Sequence, residues 1–389
     1  MSRRDVLVVM PSVPAAARDD GYFLDIKMVE GLALYARLWD GPVRCVIRAG
    51  DPAQIAFGRA YDPAALPFEV AFVDAEATGI GALTRDAAVV LAAGDNHRDL
   101  PVPGLTDAPV VFIIEYTLKT RLRIIEIEQG RSLAALKSAV WTVLTERRRR
   151  AAFARSAGLQ ANGQPGYDAY RRSSPSILRY FDSRLTDAQQ IAGDALAAKQ
   201  AAMRAGRPLR IVFSGRLETM KGADHLVRVA TELRSAGTPF MLDIYGDGVL
   251  RPAMQAAIDA AGLGEQVVLR GKVPFDAVLV PLMKERVDLF LCCHRQDDPS
   301  CTYLETLSCG VPIVGYDNAA FAGVLALGEV GIAVPMDDPA AAARAVAVLA
   351  ADRDRLAAMA AAAAAVGRAH SFERTFAARI DHLKAIAGR

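Results

Sequence analysis

Ile211-Val-Phe-Ser-Gly-Arg-Leu-Glu-Thr-Met-Lys-Gly222 decides how this chain is read. Its first four residues close an apolar, β-branched strand, Gly215 turns the backbone, and Gly222 opens a helix. Arg216 and Lys221 stand five apart on the connection. A loop at that place can present both cations to one polyanion, and the helix N-terminus behind it adds partial positive charge. Two solvated surface cations are the alternative reading.

The pattern around this stretch is strand, turn, helix, repeated. Strands are expected at 210–214, 240–245, 266–269, 289–292 and 312–316, with helical segments between most of them. Upstream, a first series is expected at 6–10, 43–48, 69–73, 88–92 and 110–114, with helices over about 23–39 and 132–156. A polar, Ala-rich stretch separates the two series. The division that follows is 1–185 for an N-terminal α/β domain, 186–207 for a connection, 208–370 for a C-terminal α/β domain, and 371–389 for a terminal helix returning to the first domain. At 389 residues, two domains are also the expectation from length. The Ala-rich tail over 338–367 strongly favours helix. Ligands of open α/β sheets bind outside the carboxyl ends of the strands, so motifs at those ends carry the most weight.

Two further strand ends are informative. Tyr245-Gly-Asp-Gly248 places Gly246, Asp247 and Gly248 where a backbone can approach a ligand closely, although ordinary turns use the same residues. Asp297-Asp-Pro-Ser-Cys-Thr-Tyr-Leu-Glu305 precedes Thr306-Leu-Ser-Cys-Gly310 and Val311-Pro-Ile-Val-Gly315. Pro299 and Ser300 read as a helix start with Ser300 as N-cap, leaving the N–H groups of Cys301 and Thr302 for a phosphate. Glu305 then stands near the end of the first turn, where a carboxylate can take sugar or ribose hydroxyls, and Gly310 stops the helix.

These elements, in this order and at these intervals, resemble the retaining GT-B glycosyltransferases of family 4, also called group 1. The resemblance covers about 208–374, with Ser371-Phe-Glu-Arg374 a loose match to the family's tail. It implies two Rossmann-like domains facing a cleft, a nucleoside-diphosphate sugar as donor, a glycan or lipid-linked glycan as acceptor, and bacterial surface-polysaccharide synthesis as the setting. By the same resemblance Arg216 and Lys221 bind the donor diphosphate, Glu305 holds the donor ribose, and Asp297 stands by the sugar hydroxyls. Gly215 belongs to the same turn, and the backbone after Arg270-Gly-Lys272 faces the base. Two departures bear on sugar identity: Asp297 replaces a glutamate and is one methylene shorter, and Ser300 replaces a frequent glycine.

The N-terminal half matches less. Gly21, after Asp19-Asp20, falls at the first loop, where the family places a glycine-rich turn near the donor phosphates. Glu115 ends a strand where many members have histidine; it reads as a contact to donor sugar or acceptor, or as a buried, paired acid. Asp95-Asn-His97 is a second acceptor-side candidate, with Asn96 between the two ionisable groups.

Composition excludes other classes. The formal net charge of +2 gives no reason to expect nucleic acid. Locally, 119–155 holds ten cations against three acids with apolar residues interleaved, which reads as a membrane-surface contact or as a solvated helix face. Cys45, Cys292, Cys293, Cys301 and Cys309 are odd in number and mostly clustered, so a reducing compartment is expected. Met1-Ser-Arg-Arg and the following apolar residues imitate a signal peptide, but Pro11 and Pro14 close the run early and a buried strand is the better reading. The expected location is cytoplasmic, with peripheral contact at the inner membrane face as the extension. Fingerprints of dinucleotide, P-loop, zinc-protease and nucleophile-elbow enzymes are absent. No Asp-x-Asp stands at a strand end to bring a metal to the diphosphate, so no metal or other cofactor is expected. Two rivals stay open: a GT-B epimerase or hydrolase on the same donor, and a non-catalytic nucleotide-sugar-binding subunit.

Overall fold

The computed structural model describes residues 4–19, 21–55, 58–74, 79–297 and 299–388. Asp20, beside Gly21, and Asp298, beside Asp297, lie outside them.

The strands in chain order are β1 (Val6–Met10), β2 (Ala16–Arg18), β3 (Gly21–Asp25), β4 (Val43–Arg48), β5 (Gly58–Tyr61), β6 (Glu69–Val73), β7 (Ala87–Ala93), β8 (Val110–Ile114), β9 (Gly158–Asn162) and β10 (Ile177–Tyr180), then β11 (Leu209–Ser214), β12 (Phe240–Tyr245), β13 (Val267–Gly271), β14 (Leu289–Cys292), β15 (Ile313–Tyr316) and β16 (Gly331–Val334). They form a seven-stranded parallel sheet in the order β10-β9-β8-β7-β1-β4-β6, a six-stranded parallel sheet in the order β13-β12-β11-β14-β15-β16, and a small antiparallel sheet β2-β3-β5. In each large sheet the strand order reverses beside the first strand of its series, β1 or β11. That is where such folds open a crevice.

Both sheets are buried on two faces, and the apolar runs show why. In β1, Val6, Val8 and Met10 enter one core while Leu7 and Val9 enter the other. Helices used below are α1 (Ile26–Leu38), α2 (Leu118–Gln129), α3 (Leu133–Ala154), α4 (Gly193–Arg204), α5 (Thr302–Ser308) and α6 (Phe372–Ile386). The returning terminal helix is present: Phe376, Ile380 and Leu383 of α6 pack with α1 residues in the N-terminal core.

Local readings differ from the structure in four places. The stretch 186–207 is no free connection, because Leu196 and Met203 of α4 enter the C-terminal core with Ile191. Their spacing was masked by the alanines around them. The first helix starts at Ile26 rather than near Phe23, because Tyr22 and Phe23 pair in the antiparallel sheet. Asp25 then caps α1, its Oδ1 accepting from Met28 N at 3.1 Å. Helix α2, capped by Thr117, was not expected. Nor were β9, β10 and β16; in β9 the buried Gln160 breaks the apolar run, and it is accommodated by hydrogen bonds with Arg379 at 2.9 Å.

Candidate functional site

The loops after β11, β12 and β13 are tied to one another by backbone. Gly215 N donates to Tyr245 O (3.1 Å), Leu217 N to Asp247 O (3.0 Å), Leu250 N to Leu217 O (3.1 Å) and Gly246 N to Gly271 O (2.8 Å). A Cβ on Gly246 would stand 1.9 Å from Gly215 O, and one on Gly248 would stand 2.5 Å from Leu217 O. Their close approach is therefore to the neighbouring loop, which corrects the ligand-facing reading of Tyr245-Gly-Asp-Gly248. Asp247 is exposed and its carboxylate accepts from Gly248 N at 2.9 Å.

The two cations of the β11 loop are held differently. Lys221 ends a short turn, Thr219–Lys221, and is only 8% exposed. Arg216 is largely in solvent and pairs with Glu218 at 3.0 Å. The lysine turn is carried by Arg295, a residue that no motif pointed to. Its Nη1 donates to Thr219 O (2.9 Å) and to Asp224 (2.8 Å), and its Nε donates to Asp337 (2.5 Å). His225, behind it, shares a hydrogen bond with Tyr316 at 2.6 Å; burial, then Arg295, holds its pKa below the usual histidine range. Helix α2 of the N-terminal domain packs against the same turn, while Lys221 itself is buried near His294 and Cys292. Burial, then the Lys221 charge, lowers the His294 pKa, and the same charge opposes the rise that burial imposes on the Cys292 thiol.

The third loop gathers most of the remaining candidates. Ser300 is not an N-cap: α5 begins at Thr302, and the cap position is Cys301, already in helical geometry at φ −52°, ψ −28°. A hydroxyl can fold back onto the first amides only from an extended cap. Glu305, 5% exposed, takes a two-pronged bond from Arg184, Nε to Oε1 at 2.5 Å and Nη2 to Oε2 at 3.0 Å. The Arg184 guanidinium lies 4.1 Å from the ring centre of Phe275. Cys301 Sγ donates to Asp182 Oδ2 at 3.4 Å. These groups, with Ser300 and Thr302, line an interdomain cavity of about 770 Å³.

The structure does not bring every candidate to one place. Asp297 opens into a separate cavity of about 850 Å³, with Lys119, Arg123, Arg295 and Asn318. Its Oδ1 accepts from Ala319 N (2.7 Å) and its Oδ2 meets Lys119 Nζ (3.0 Å). Arg216, Lys221, Gly215 and Lys272 lie outside the lining of the Glu305 cavity, which instead reaches Phe275 and Asp276, just beyond Lys272.

At the strand ends of the N-terminal sheet is a cavity of about 490 Å³, lined among others by Asp25, Tyr35, Glu115, Tyr180, Asp182 and Arg379. Glu115 is exposed there, so it is not the buried acid of the alternative reading. Asp95 also borders the cavity but is committed to its loop: it accepts from Glu115 N (2.6 Å) and Tyr116 N (3.3 Å) and pairs with Arg121. Burial raises the Asp95 pKa, against the opposing pull of Arg121. Asn96 accepts from Arg98 N at 3.1 Å, and His97 stands edge-on to Trp141 at 5.4 Å; both lie outside this lining. Burial, then Arg98, lowers the His97 pKa. Gly21 belongs to β3, with φ +138°, and a Cβ there would stand 2.4 Å from Tyr61 O. It serves the small sheet, and Pro11, Ser12 and Val13 form the cavity edge in its stead.

Asp182 and Arg184 were invisible to motif reasoning, as were Tyr35 and Arg379. None lies in a spaced pattern, and each acquires its place from a different element. The one available hint was alternation. In 181–185, Phe181, Ser183 and Leu185 are buried while Asp182 and Arg184 are not.

Residues 197–366 match the family described as glycosyl transferases group 1. The chain is 31% identical over 191 residues to a 2-deoxystreptamine N-acetyl-D-glucosaminyltransferase of Streptomyces fradiae, covering 48% of this chain and 44% of that protein. It is 28% identical over 143 residues to a lipopolysaccharide core biosynthesis mannosyltransferase, LpcC, of Rhizobium leguminosarum, covering 36% and 40%. The chain thus spans less than half the length of these curated relatives. Among solved structures, Anabaena Alr3699/HepE in complex with UDP superposes with a TM-score of 0.63 at 14% identity over 97% of this chain and 98% of that one. Sucrose-phosphate synthase from Thermosynechococcus elongatus superposes with a TM-score of 0.68 at 14% identity over 98% of both chains. At such identity the likeness shows the fold, which is the GT-B arrangement of two Rossmann-like domains.

Proposed function

We propose that this chain, whose residues 197–366 match the family described as glycosyl transferases group 1, moves a sugar from a nucleoside-diphosphate sugar to a glycan or lipid-linked glycan, with retention at the anomeric carbon, in surface-polysaccharide synthesis. The observation that carries the reading is the Lys221 turn. It sits after β11, at the reversal of strand order, braced by Arg295 and in contact with a helix of the N-terminal domain. A cation held in that position stabilises charge where a diphosphate departs.

In this reading the bond between C1 of the sugar and the diphosphate oxygen breaks, the acceptor oxygen bonds to C1 on the same face, and its proton passes to the leaving phosphate. Lys221 and Arg216 take the charge-neutralising role that a metal plays elsewhere, so no metal or other cofactor is assigned. Glu305 takes the donor ribose, and the 490 Å³ cavity receives the acceptor beside Glu115.

The relatives' acceptors, by their names, include an aminocyclitol and a lipopolysaccharide core. A membrane-bound acceptor agrees with one surface of the fold. Six of the ten exposed large apolar side chains among the described residues lie on α3, including Leu133 (87%), Leu136 (62%) and Trp141 (53%). Lys137, Arg147 and Arg148 are exposed on the same helix. An apolar face edged with cations suits an anionic bilayer surface, and we assign it to peripheral contact at the inner leaflet. No helix among the described residues is long and apolar enough to cross a membrane.

The test is a thermal-shift panel of UDP, GDP, ADP and their sugar conjugates, followed by product analysis. Stabilisation by one nucleotide family and sugar transfer to an acceptor are expected. Free sugar without transfer supports a hydrolase, and binding without turnover across many acceptors supports a binding subunit. Co-sedimentation with phosphatidylglycerol vesicles but not phosphatidylcholine vesicles, lost in Trp141→Glu, is expected for the α3 face; equal recovery with both rejects it.

A further inference from the structure

The segment between β10 and α4 runs along the Glu305 cavity as a strap, with a short turn over Asp187–Gln189. Its backbone is pinned by α6 and its flank: Thr375 Oγ1 donates to Phe181 O (3.2 Å), and Phe372 N donates to Leu185 O (2.9 Å). Phe181, Ser183 and Leu185 are buried, and Asp182 and Arg184 are the charged side chains that the strap contributes to the cavity lining. Both meet α5, Asp182 at Cys301 and Arg184 at Glu305. Farther along, Gln189 Nε2 donates to Asp276 Oδ1 at 2.9 Å, tying the strap to the loop that carries Phe275.

Glu305 and Arg184 differ in a way that decides which of them moves. The Glu305 side chain is 6% exposed, so its carboxylate requires a partner at all times. The Arg184 side chain is 41% exposed, so its charge is readily solvated when it swings away. Two ribose hydroxyls offer the carboxylate the same two-pronged hydrogen bonding that the guanidinium fork supplies. Arg184 now bridges both oxygens along one edge of the carboxylate, and a ribose that approaches along that edge has to displace it.

We infer that Arg184 gates the donor site: it holds Glu305 while the site is empty and is displaced from that carboxylate by the ribose of the incoming nucleotide. This rests on the reading of Glu305 as the ribose-binding acid. Nucleotide affinity is then set against an internal competitor. Arg184 is thus a positioning residue, acting through Glu305.

The experiment is calorimetric titration of the full chain with UDP, GDP and ADP, followed by the matching nucleoside of whichever diphosphate binds. Wild type is compared with Arg184→Ala, Arg184→Lys and Glu305→Gln. With the competitor gone, Arg184→Ala should bind nucleotide and nucleoside about two- to fivefold more tightly, while its nucleotide-free melting temperature falls because Glu305 loses its partner. Arg184→Lys, which cannot bridge both oxygens, should lie between. A merely structural arginine would lower the melting temperature and leave affinity unchanged or weaker, and that result overturns the inference. Glu305→Gln separates the two levels. If it weakens binding while Arg184→Ala does not tighten it, the ribose reading stands and the gate falls. If Glu305→Gln binds as wild type, or if no diphosphate binds wild type at all, both fall.

Discussion

The crevice ends of the two sheets are built by different means. Beyond β11, β12 and β13 the loops are joined backbone to backbone, and the absence of side chains at Gly246 and Gly248 lets them touch. Beyond β7 and β8 one such backbone bond is made, Gly94 N to Ile113 O (2.8 Å), and further links run through side chains, with Asp95 collecting two amides and Arg121. A backbone junction tolerates few residue types and leaves a recognisable string. A side-chain junction can be made by many pairs and leaves none. That difference explains why the C-terminal half matched a family and the N-terminal half barely did.

The comparison can be broken most sharply at Lys221. Lys221→Ala should cut turnover by about 10²–10³-fold with little change in melting temperature; near-normal turnover would remove the β11 turn from the chemistry. Gly246→Ala should come next, as a stability effect of about 3 kcal/mol or more. Its Cβ would meet Gly215 O, and φ is +120°. Chemical denaturation measures it, and a loss below 1 kcal/mol would mean that the loops can part without cost.

A subtler contrast lies in a buried charge beneath the C-terminal sheet. Lys199 of α4 donates to Met283 O (2.6 Å) and Cys309 O (3.0 Å), and burial lowers its pKa to about 7. Between pH 7 and the ordinary lysine pKa of about 10.4, the unfolded chain keeps a proton that the folded chain has released, so stability rises with pH across that window. The gain between pH 7 and 9 should be on the order of 1–2 kcal/mol. Lys199→Met should flatten this slope, as read from urea midpoints at the two pH values; an unchanged slope would place the titration elsewhere. The smallest effect is expected at Asp95→Asn, which keeps one of the two oxygens that accept from the Glu115 and Tyr116 amides and removes the charge facing Arg121. A stability loss of about 1 kcal/mol and a raised acceptor KM are expected, with nucleotide affinity unchanged. A change confined to nucleotide affinity would contradict the assignment of this loop to the acceptor side.

What could be read in advance follows the same division. The ten strands expected from apolar runs are all present, because strands buried on both faces have to be apolar along their length. The missed strand β9 carries Gln160, whose burial depends on Arg379, over two hundred residues away. Ser300 was read as a cap from residue type alone, yet capping depends on the backbone angle of the approach, which the preceding loop sets. Gly21 was read by resemblance as part of a turn near the donor phosphates, but it lies in β3 against Tyr61, in a small sheet that no local pattern announces.

Ten of the parallel strands, the presence of two α/β domains and the β11 turn with Arg216 and Lys221 were determined by sequence alone, because burial periodicity and backbone turns are written over a few neighbouring residues. Which carboxylate meets which cation was decided only by the tertiary structure. Arg184 and Glu305, or Lys119 and Asp297, lie more than one hundred residues apart and meet because two sheets and a strap bring them together. Their charges make each pairing favourable, but equally charged residues elsewhere in the chain would satisfy the same chemistry, and distance in the fold is what selects among them.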